Sequence, residues 1–433
     1  MTNSNPEIDI VIDRLGARGD GIAETPDGPL FVPFVLPGER VRVRPGAVRG
    51  HGRAAALVEV LEPVANRIAP PCRHFGECGG CSVQHLAEAD YLNWKRGIVA
   101  TALERHGIAG SVVGPVMATP AGGRRRAELA ALRLRGRHGA TILGFHARAS
   151  NRIVDLTECT VLRPALRNLI GPLREVLGQV LEPGSGCDIL LTETPVGADL
   201  LVTAKMPPRP KQRLALAAFA EDSNVARVSW ASSRAAIEPV AQRVPPAVVV
   251  DGVAVALPPG AFLQASAEAE KLMAALVIEN LGDLPPRARV ADLYAGLGAF
   301  ALPIAAKGAR VLAVDSAGDA LDALVAATGA AGLSGGITAE VRDLAERPLM
   351  AAELSGTHGV VFDPPRAGAP EVVRQIAASK VARVVAVSCN PVTFARDAAA
   401  LIAGGYHLAR VTPVDQFVYT GHVELVAGFV RGR

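Results

Sequence analysis

The chain from about residue 248 onward alternates short apolar runs with helix-like segments, and this pattern constrains the fold more than any other feature. The runs that predict buried strands cover residues 290–294, 310–315, 338–341, 360–363 and 384–388. Buried strands separated by helices are typical of an α/β domain with a mostly parallel sheet. Two further runs, 409–414 and 424–430, are joined by a short loop, which predicts antiparallel neighbours at one end of that sheet.

A cysteine stands where the last parallel strand is predicted to end. In Val387-Ser388-Cys389-Asn390-Pro391 the thiol precedes a helix-like segment at 392–402, so it should lie at the edge where such sheets bind ligands. A lone cysteine is more often a small buried hydrophobic residue. Here, however, Asp363-Pro364-Pro365-Arg366 ends the preceding run, and a glycine-rich loop ends the first strand. Three polar loops are therefore predicted to converge, which favours a functional thiol.

The glycine-rich loop Gly296-Leu297-Gly298-Ala299-Phe300-Ala301 matches the dinucleotide fingerprint, with Asp315 placed to hold a ribose. Asp292 ends the strand before it, where its charge would repel a pyrophosphate but suits an amino-acid group. Asp363-Pro364-Pro365 occupies the place where methyltransferases of this architecture hold the acceptor base. The pattern therefore favours S-adenosylmethionine over NAD, and it predicts the two loop glycines and Asp315 as cofactor-binding residues.

Arg366 follows the proline pair, where an amine-methylating enzyme would carry an aromatic residue, and this argues for another target atom. Carbon 5 of a pyrimidine accepts a methyl group only after a nucleophile has added to carbon 6. The Cys389 thiol can supply that nucleophile, since a free cysteine is a few per cent ionised at about pH 7. A base must then remove the carbon 5 proton, and we predict Glu424 for this role. His422 is the rival base, and Glu424 could instead be an ordinary surface residue of a strand.

Three of the six cysteines lie close together in sequence. They are Cys72, Cys78 and Cys81. This density is more typical of a metal or cluster site than of three separate core residues. Such a site needs a fourth soft ligand, and Cys159 is the best candidate. The spacing leaves two options open: a [4Fe-4S] cluster, or tetrahedral zinc with His74 or His85 as a possible fourth ligand.

The length of 433 residues is too great for one core and predicts two or three domains. Residues 1–64 alternate apolar and polar positions between turn signals, which predicts a five-stranded barrel of the OB kind. Residues 65–245 predict a central α+β domain, and residues 246–433 predict the α/β domain. The sequence shows neither a leader nor an apolar run of membrane length, so we expect a globular cytoplasmic monomer with no membrane partner.

The formal net charge of +3 gives weak support for a polyanionic partner, so the placement of the arginines matters more. Arg42 and Arg44 share one face of a predicted strand, and Arg124-Arg125-Arg126 is the densest basic run of the central segment. Either group could be a solvated face or a nucleic-acid contact. In a protein that handles RNA, phosphate contact becomes the stronger interpretation.

Taken together, the motifs resemble those of the bacterial RNA uridine C5-methyltransferases. The motifs are Asp292-Leu293-Tyr294-Ala295-Gly296-Leu297-Gly298, Asp363-Pro364-Pro365-Arg366, Ser388-Cys389-Asn390-Pro391, Asp415-Gln416-Phe417 and Gly421-His422-Val423-Glu424. The likeness covers nearly the whole chain, because the N-terminal stretch resembles the TRAM domain of these enzymes. The four cysteines named above match the ligands of their [4Fe-4S] cluster. This combination resembles the branch acting on 23S ribosomal RNA more than the tRNA branch.

The resemblance implies Cys389 as nucleophile, Glu424 as base, and RNA rather than DNA as partner. The cofactor or target contacts that it implies are Gln264, Tyr294, Asp315, Asp343 and Asp363. The chain departs from the family pattern at Ala295 and Ala299, which replace polar residues, and at Ala265-Ser266, which replaces an Asn-containing continuation. Besides methylation of 23S ribosomal RNA, the alternatives are a tRNA uridine methyltransferase with the same mechanism and an RNA-binding or iron-sensing protein without turnover.

Overall fold

A computed structural model describes residues 6–136, 139–232, 237–333 and 335–432. Three β-sheets follow one another along the chain, and each has its own apolar core. In the part of the chain that the structure describes, no helix is both long enough and apolar enough to cross a membrane.

The first sheet has six strands. They are β1 (Ile8–Val11), β2 (Arg14–Leu15), β3 (Asp20–Ala23), β4 (Leu30–Pro33), β5 (Arg40–Arg49) and β6 (Gly52–Glu62). Their order is β1-β5-β6-β4-β3-β2, and β4 and β6 form the one parallel pair of this sheet within the described residues. The sequence predicted five strands. The additional strand, β2, is only two residues long, which is too short for a periodic pattern to reveal.

A long helix and a short strand then cross to the C-terminal part of the molecule. They are α1 (Glu88–Glu104) and, after a 3-10 turn at Gly110–Val112, β7 (Met117–Ala118). The apolar side of α1 is buried in the same cluster as the third sheet, and β7 pairs with that sheet's outermost long strand. Residues 88–118, which the sequence pattern assigns to the central segment, therefore pack on the α/β part of the chain.

The second sheet forms the central α+β part. Its elements are β8 (Arg126–Arg133), β9 (Thr141–Gly144), α2 (Pro164–Asn168), α3 (Ile170–Val180), β10 (Gly186–Thr194), β11 (Gly197–Ala204), α4 (Pro210–Asp222), β12 (Val225–Ser232) and β13 (Glu238–Gln242). The strand order is β13-β12-β11-β10-β8-β9. Helices α3 and α4 pack together and bury their apolar residues against this sheet. A separate hairpin follows, made of β14 (Ala247–Val250) and β15 (Val253–Ala256).

The third sheet is the mostly parallel one that the βα pattern predicts. Its elements are α5 (Ala267–Leu281), β16 (Arg289–Leu293), α6 (Ala301–Ala306), β17 (Arg310–Asp315), α7 (Gly318–Ala330), β18 (Ile337–Val341), β19 (Gly359–Phe362), α8 (Pro370–Ala378), β20 (Arg383–Ser388), α9 (Pro391–Ala403), β21 (Tyr406–Asp415) and β22 (Glu424–Arg431). The order is β18-β17-β16-β19-β20-β22-β21-β7. Strand β22 is antiparallel to β21, as predicted, and it is also antiparallel to β20. Successive residues of β19 belong to cores on opposite faces, so the sheet is buried on both sides.

Candidate active site

The carboxyl edge of the third sheet carries the residues that the motifs single out. Because parallel strands end at the same edge, the segments after β16 to β20 meet there. They line a cavity of about 860 Å³. Its lining includes Gln264, Tyr294, Gly296, Asp315, Asp343, Asp363, Cys389 and Glu424. The structure thus brings together eight predicted site residues that are distributed between Gln264 and Glu424 in the sequence.

The two loop glycines have different positions. The amide of Gly296 donates to Oδ2 of Asp315 at 2.9 Å, while Oδ1 of Asp315 accepts from the amide of Ala317 at 2.8 Å. Gly296 has φ +52° and faces open space, whereas Gly298 has φ +85° and lies so close to Leu324 that a Cβ would overlap its side chain. Gly298 therefore does not line the cavity, and it allows the loop to pack closely on α7.

Two neighbours of this loop differ in their access to the cavity. Tyr294 lines it and adopts a left-handed backbone with φ +66°, an unfavourable conformation of the kind that clusters at functional sites. Asp292 is completely buried, and neither of its carboxyl oxygens has a hydrogen bond in the described structure, although the amide of Ala301 lies nearby. Burial, followed by the charge of Asp363, raises the pKa of Asp292 well above its usual value. Burial without a hydrogen-bond partner therefore favours the protonated form of Asp292.

The predicted nucleophile and base are neighbours across two paired strands. Cys389 follows β20 and Glu424 begins β22, and Ser388 lies opposite Leu425 in the antiparallel register. Both residues line the cavity of about 860 Å³, and both also line a second, smaller cavity of about 490 Å³. Three further residues also line both cavities: Phe262, Gln264 and Arg366. Cys389 and Glu424 therefore stand at the junction of the two cavities.

Burial dominates the electrostatics of this pair. Burial, and then the carboxylates of Glu424 and Asp363, raise the pKa of the Cys389 thiol to about 11, against the opposing charge of Arg366. Burial and the Asp363 carboxylate also raise the pKa of Glu424. Burial raises the pKa of Asp363, while a hydrogen bond from Gln264 opposes that shift. Burial thus raises the pKa of both carboxyl groups, and a carboxyl group that takes up a proton no longer opposes a thiolate at Cys389.

Two glutamine amides connect these two carboxyl groups. Nε2 of Gln264 donates to Oδ2 of Asp363 at 3.1 Å, and Nε2 of Gln416 donates to Oε1 of Gln264 at 2.9 Å and to Oε1 of Glu424 at 3.4 Å. The amide of Ser266 donates to Oε1 of Gln416 at 3.3 Å and fixes its orientation. The sequence motifs did not predict a role for Gln416, although it lies in the Asp415-Gln416-Phe417 motif.

A buried lysine holds the loop that leads to Glu424. Nζ of Lys95, in α1, donates to the carboxylate of Asp415, to the carbonyl of Phe417 at 3.0 Å and to the carbonyl of His422 at 2.8 Å. Lys95 is completely buried. Its charge also acts to lower the pKa of Glu424. No motif in the sequence points to Lys95, because its partners lie more than 300 residues away.

The second cavity is also lined by the four clustered cysteines. Cys72, Cys78, Cys81 and Cys159 all border it. The segments that carry them are tied together at His74, whose Nε2 accepts from the amide of Thr157 at 3.1 Å. Within the described ranges, however, no three His, Cys, Asp or Glu side chains are arranged to hold a metal ion. The cysteines converge, but the predicted iron–sulfur site is not formed as a ligand set in this structure.

The histidines offered as alternative ligands have other surroundings. Nε2 of His74 accepts a hydrogen bond from the amide of Thr157, and His85 does not border the cavity. Both ring nitrogens of His85 are buried without a hydrogen bond among the described residues, and burial lowers its pKa to about 4. The structure therefore gives no support to zinc coordination by His85.

The mostly parallel sheet and the glycine loop at its carboxyl edge define the α/β fold of methyltransferases. The chain is similar to the solved structure of the Pyrococcus abyssi tRNA (uracil-54, C5)-methyltransferase in complex with S-adenosyl-L-homocysteine, with a TM-score of 0.74 and 24% identity over 98% of this chain and 100% of that one. This likeness shows the fold. Residues 346–430 match the family model described as tRNA (Uracil-5-)-methyltransferase.

Curated relatives match along the full length. An uncharacterized RNA methyltransferase of Brucella suis is 45% identical over 427 residues, covering 98% of each chain. The 23S rRNA (uracil(1939)-C(5))-methyltransferase of Aeromonas salmonicida is 34% identical over 435 residues, covering 98% of this chain and 96% of the relative. The chain belongs to the RNA uracil C5-methyltransferase family.

Proposed function

We propose that the protein transfers a methyl group from S-adenosylmethionine to carbon 5 of one uridine in 23S ribosomal RNA. The observation that carries this proposal is the position of Cys389 and Glu424 at the junction of two cavities. One cavity suits the cofactor and the other suits a base turned out of its stack. The choice of 23S ribosomal RNA is supported by the Aeromonas relative, whose name states that substrate.

The larger cavity fits S-adenosylmethionine by its chemistry. Asp315 and Asp343 present carboxylates toward a ligand that carries hydroxyl and ammonium donors, and Gly296 leaves open space for a close approach. When bound, this cofactor supplies an electrophilic methyl group on a positively charged sulfur. A flat uracil in the smaller cavity would then present carbon 6 to Cys389 and carbon 5 to that methyl group, each over a face of the ring.

The protein's own residues would act in two stages. Cys389, as the thiolate, would form a bond to carbon 6, and the electron pair of the 5,6 double bond would then bond carbon 5 to the methyl group as the bond from that methyl group to the donor sulfur breaks, leaving S-adenosylhomocysteine. Glu424 then takes the proton from carbon 5, so that the double bond reforms and the Cys389 thiolate leaves. A buried carboxylate with a raised pKa suits this step, because it is a stronger base than an ordinary glutamate.

We also propose that the four cysteines hold a [4Fe-4S] cluster and that the first sheet is a TRAM-type RNA-binding domain. The cluster is supported by the convergence of these thiols on one cavity, and by the resemblance of their spacing. We expect about four iron atoms per chain and a brown colour after anaerobic purification. Replacing Cys159 by Ser should remove both signals.

The proposed reaction is tested with RNA in which 5-fluorouridine replaces uridine. Fluorine cannot be removed from carbon 5 as a proton is, so the bond to Cys389 should persist and give an adduct that survives denaturation. The Cys389→Ala variant is the matched control. Absence of an adduct from wild-type protein that binds S-adenosylhomocysteine would contradict the mechanism and favour a protein without turnover. Transcripts of 23S ribosomal RNA and of tRNA, compared in parallel, distinguish the two substrate classes.

A further inference from the structure

Most of the positive charge that the sequence offered for RNA binding is neutralised internally. On β5, Arg42 pairs with Asp9 at 2.9 Å, and Arg44 pairs with Glu7 at 2.5 Å. In the basic run of the central segment, Arg125 is buried and pairs with Glu270 at 2.6 Å. Arginines engaged by carboxylates contribute little net attraction for phosphate. The free charge must therefore be sought elsewhere.

Several arginines form no ion pair with a carboxylate in the described ranges, and three of them lie near His422. They are Arg18, Arg124 and Arg366. Arg18 follows the short strand β2, Arg124 precedes β8, and Arg366 lies in the loop after β19. Each of the three major parts of the chain thus contributes one of these three guanidinium groups.

These three arginines lie near His422, which borders the smaller cavity. Nη2 of Arg366 donates to Nδ1 of His422 at 2.9 Å. The guanidinium of Arg124 lies 5.5 Å from the ring centre of Phe417, which borders the same cavity. The backbone at Arg18 packs directly against Gly421, because a Cβ at Gly421 would lie 3.3 Å from the Arg18 Cα. Burial and the charges of Arg366, Lys95, Arg124 and Arg18 lower the pKa of His422, which favours the neutral imidazole that accepts the Arg366 hydrogen bond.

Nearby carboxylates do not cancel this charge. Glu158 borders the cavity but pairs with Arg73 at 3.4 Å, and its carboxylate also accepts from the Arg73 amide at 2.9 Å. The carboxylate of Glu128 interacts with the charge of the Arg126 guanidinium and partly offsets it. Glu424 is buried, which raises its pKa. None of the described carboxylates that border this cavity therefore forms an ion pair with Arg124 or Arg366.

We propose that Arg18, Arg124 and Arg366 bind the backbone phosphates that flank the uridine delivered to Cys389. This inference rests on the proposed function, because it takes the ligand to be an RNA strand with one base turned into the smaller cavity. Turning a nucleotide about its backbone leaves its two phosphates at the entrance while the base goes inside. The planar guanidinium matches phosphate with paired hydrogen bonds. A strand held this way contacts all three parts of the chain at one point.

The test uses the full-length protein and a short single-stranded RNA with one central uridine. Binding is measured as a function of salt concentration for wild type, Arg18→Gln and Arg366→Gln, with Arg42→Gln as the matched control of a neutralised arginine. Each lost phosphate contact should reduce the slope of log affinity against log salt by about 0.7. Arg42→Gln should keep the wild-type slope. Wild-type slopes in both site variants would overturn the proposal.

A second measurement locates the contact on the RNA. One linkage next to the central uridine is replaced by an uncharged methylphosphonate, which should weaken binding by wild type but not weaken Arg366→Gln further. Equal weakening in both proteins would overturn the assignment of Arg366. Failure of the proposed function gives a different result. If the proposed function is wrong, 5-fluorouridine RNA forms no adduct with wild-type protein. If only the phosphate site is wrong, the adduct still forms, and the Arg18→Gln and Arg366→Gln variants keep the wild-type salt slope.

Discussion

Lys95 and Asp415 form an ion pair that is enclosed by protein, although 320 positions separate the two residues in sequence. The ammonium group has three N–H donors, and the carbonyls of Phe417 and His422 occupy the other two. All three acceptors lie between Asp415, the last residue of β21, and Glu424. Helix α1 thereby fixes the position of the segment that delivers the proposed base.

Replacing Lys95 by Met should reduce stability severely. The substitution keeps the length of the side chain but leaves the Asp415 carboxylate buried without its partner, which typically costs about 3–5 kcal/mol. Urea unfolding measures the change in the free energy of unfolding. Arg42→Gln is the control, because its pair with Asp9 is solvent-exposed and should contribute little to stability. A small, equal loss in both variants would contradict the role given to Lys95.

The same variant should change how methyl transfer depends on pH. The charge of Lys95 lowers the pKa of Glu424, so its removal should raise that pKa further. Since the proposed base acts in its deprotonated form, the rise of kcat with pH should move to higher pH. Gln416→Met should shift the profile in the same direction, because the Gln416 hydrogen bond also lowers the pKa of Glu424. An unchanged profile in both variants would argue against Glu424 as the base.

Local patterns predicted the features that depend on local sequence. Strand β17 has the bounds that its apolar run predicted, and Cys389 lies directly after β20 as its motif indicated. Pairings between distant segments could not be predicted in this way. The sequence predicts Arg42 as a candidate for RNA contact, but the register of β1 on β5 places Asp9 directly opposite it. Lys95 was missed for the same reason, because burial and three distant acceptors define its role.

Asp292 should make folding stability depend on pH. Its pKa is raised in the folded protein from an ordinary value of about 3.8, so the folded state binds more protons than the unfolded state between these two values. The free energy of unfolding therefore falls as pH rises through this interval, by up to about 1.4 kcal/mol per pH unit for one group. Asp292→Asn should remove this part of the decline.

Urea unfolding of wild type and Asp292→Asn at several pH values measures the effect. The stability of the variant relative to wild type should increase as pH rises from about 5 to 7. Asp363 and Glu424 have pKa shifts of the same sign and will keep some pH dependence in both proteins. A difference that does not vary with pH would show that Asp292 is ionised or hydrogen-bonded in the folded protein.

Gly298→Ala should destabilise the protein more than Gly296→Ala. A methyl group at Gly298 would overlap Leu324, and its φ of +85° is unfavourable for alanine, whereas Gly296 has the strained φ but open space around it. We expect a loss of about 1 kcal/mol for Gly296→Ala and of about 2–4 kcal/mol for Gly298→Ala. Thermal unfolding without cofactor compares them. Gly296→Ala should instead weaken binding of S-adenosylhomocysteine, because the added methyl group points into the cavity.

Glu424→Gln should separate methyl transfer from product release. The amide has nearly the shape of the carboxyl group but cannot take the carbon 5 proton, so the Cys389 thiolate cannot leave after the methyl group has been transferred. Ordinary uridine RNA should then accumulate as a denaturation-resistant adduct that already contains the new methyl group. Turnover should fall by about 100-fold or more.

The position of the methyl group decides between the two candidate bases. With a radioactive methyl donor, the label should migrate with the protein–RNA adduct of Glu424→Gln, and Cys389→Ala should give none. His422→Asn is the informative comparison, since His422 is the rival base but its side chain is engaged by Arg366 at the cavity mouth. If His422→Asn accumulates the labelled adduct and Glu424→Gln turns over normally, the imidazole removes the proton. The burial of Glu424 beside Cys389, at the junction of the two cavities, leads us to expect the opposite result.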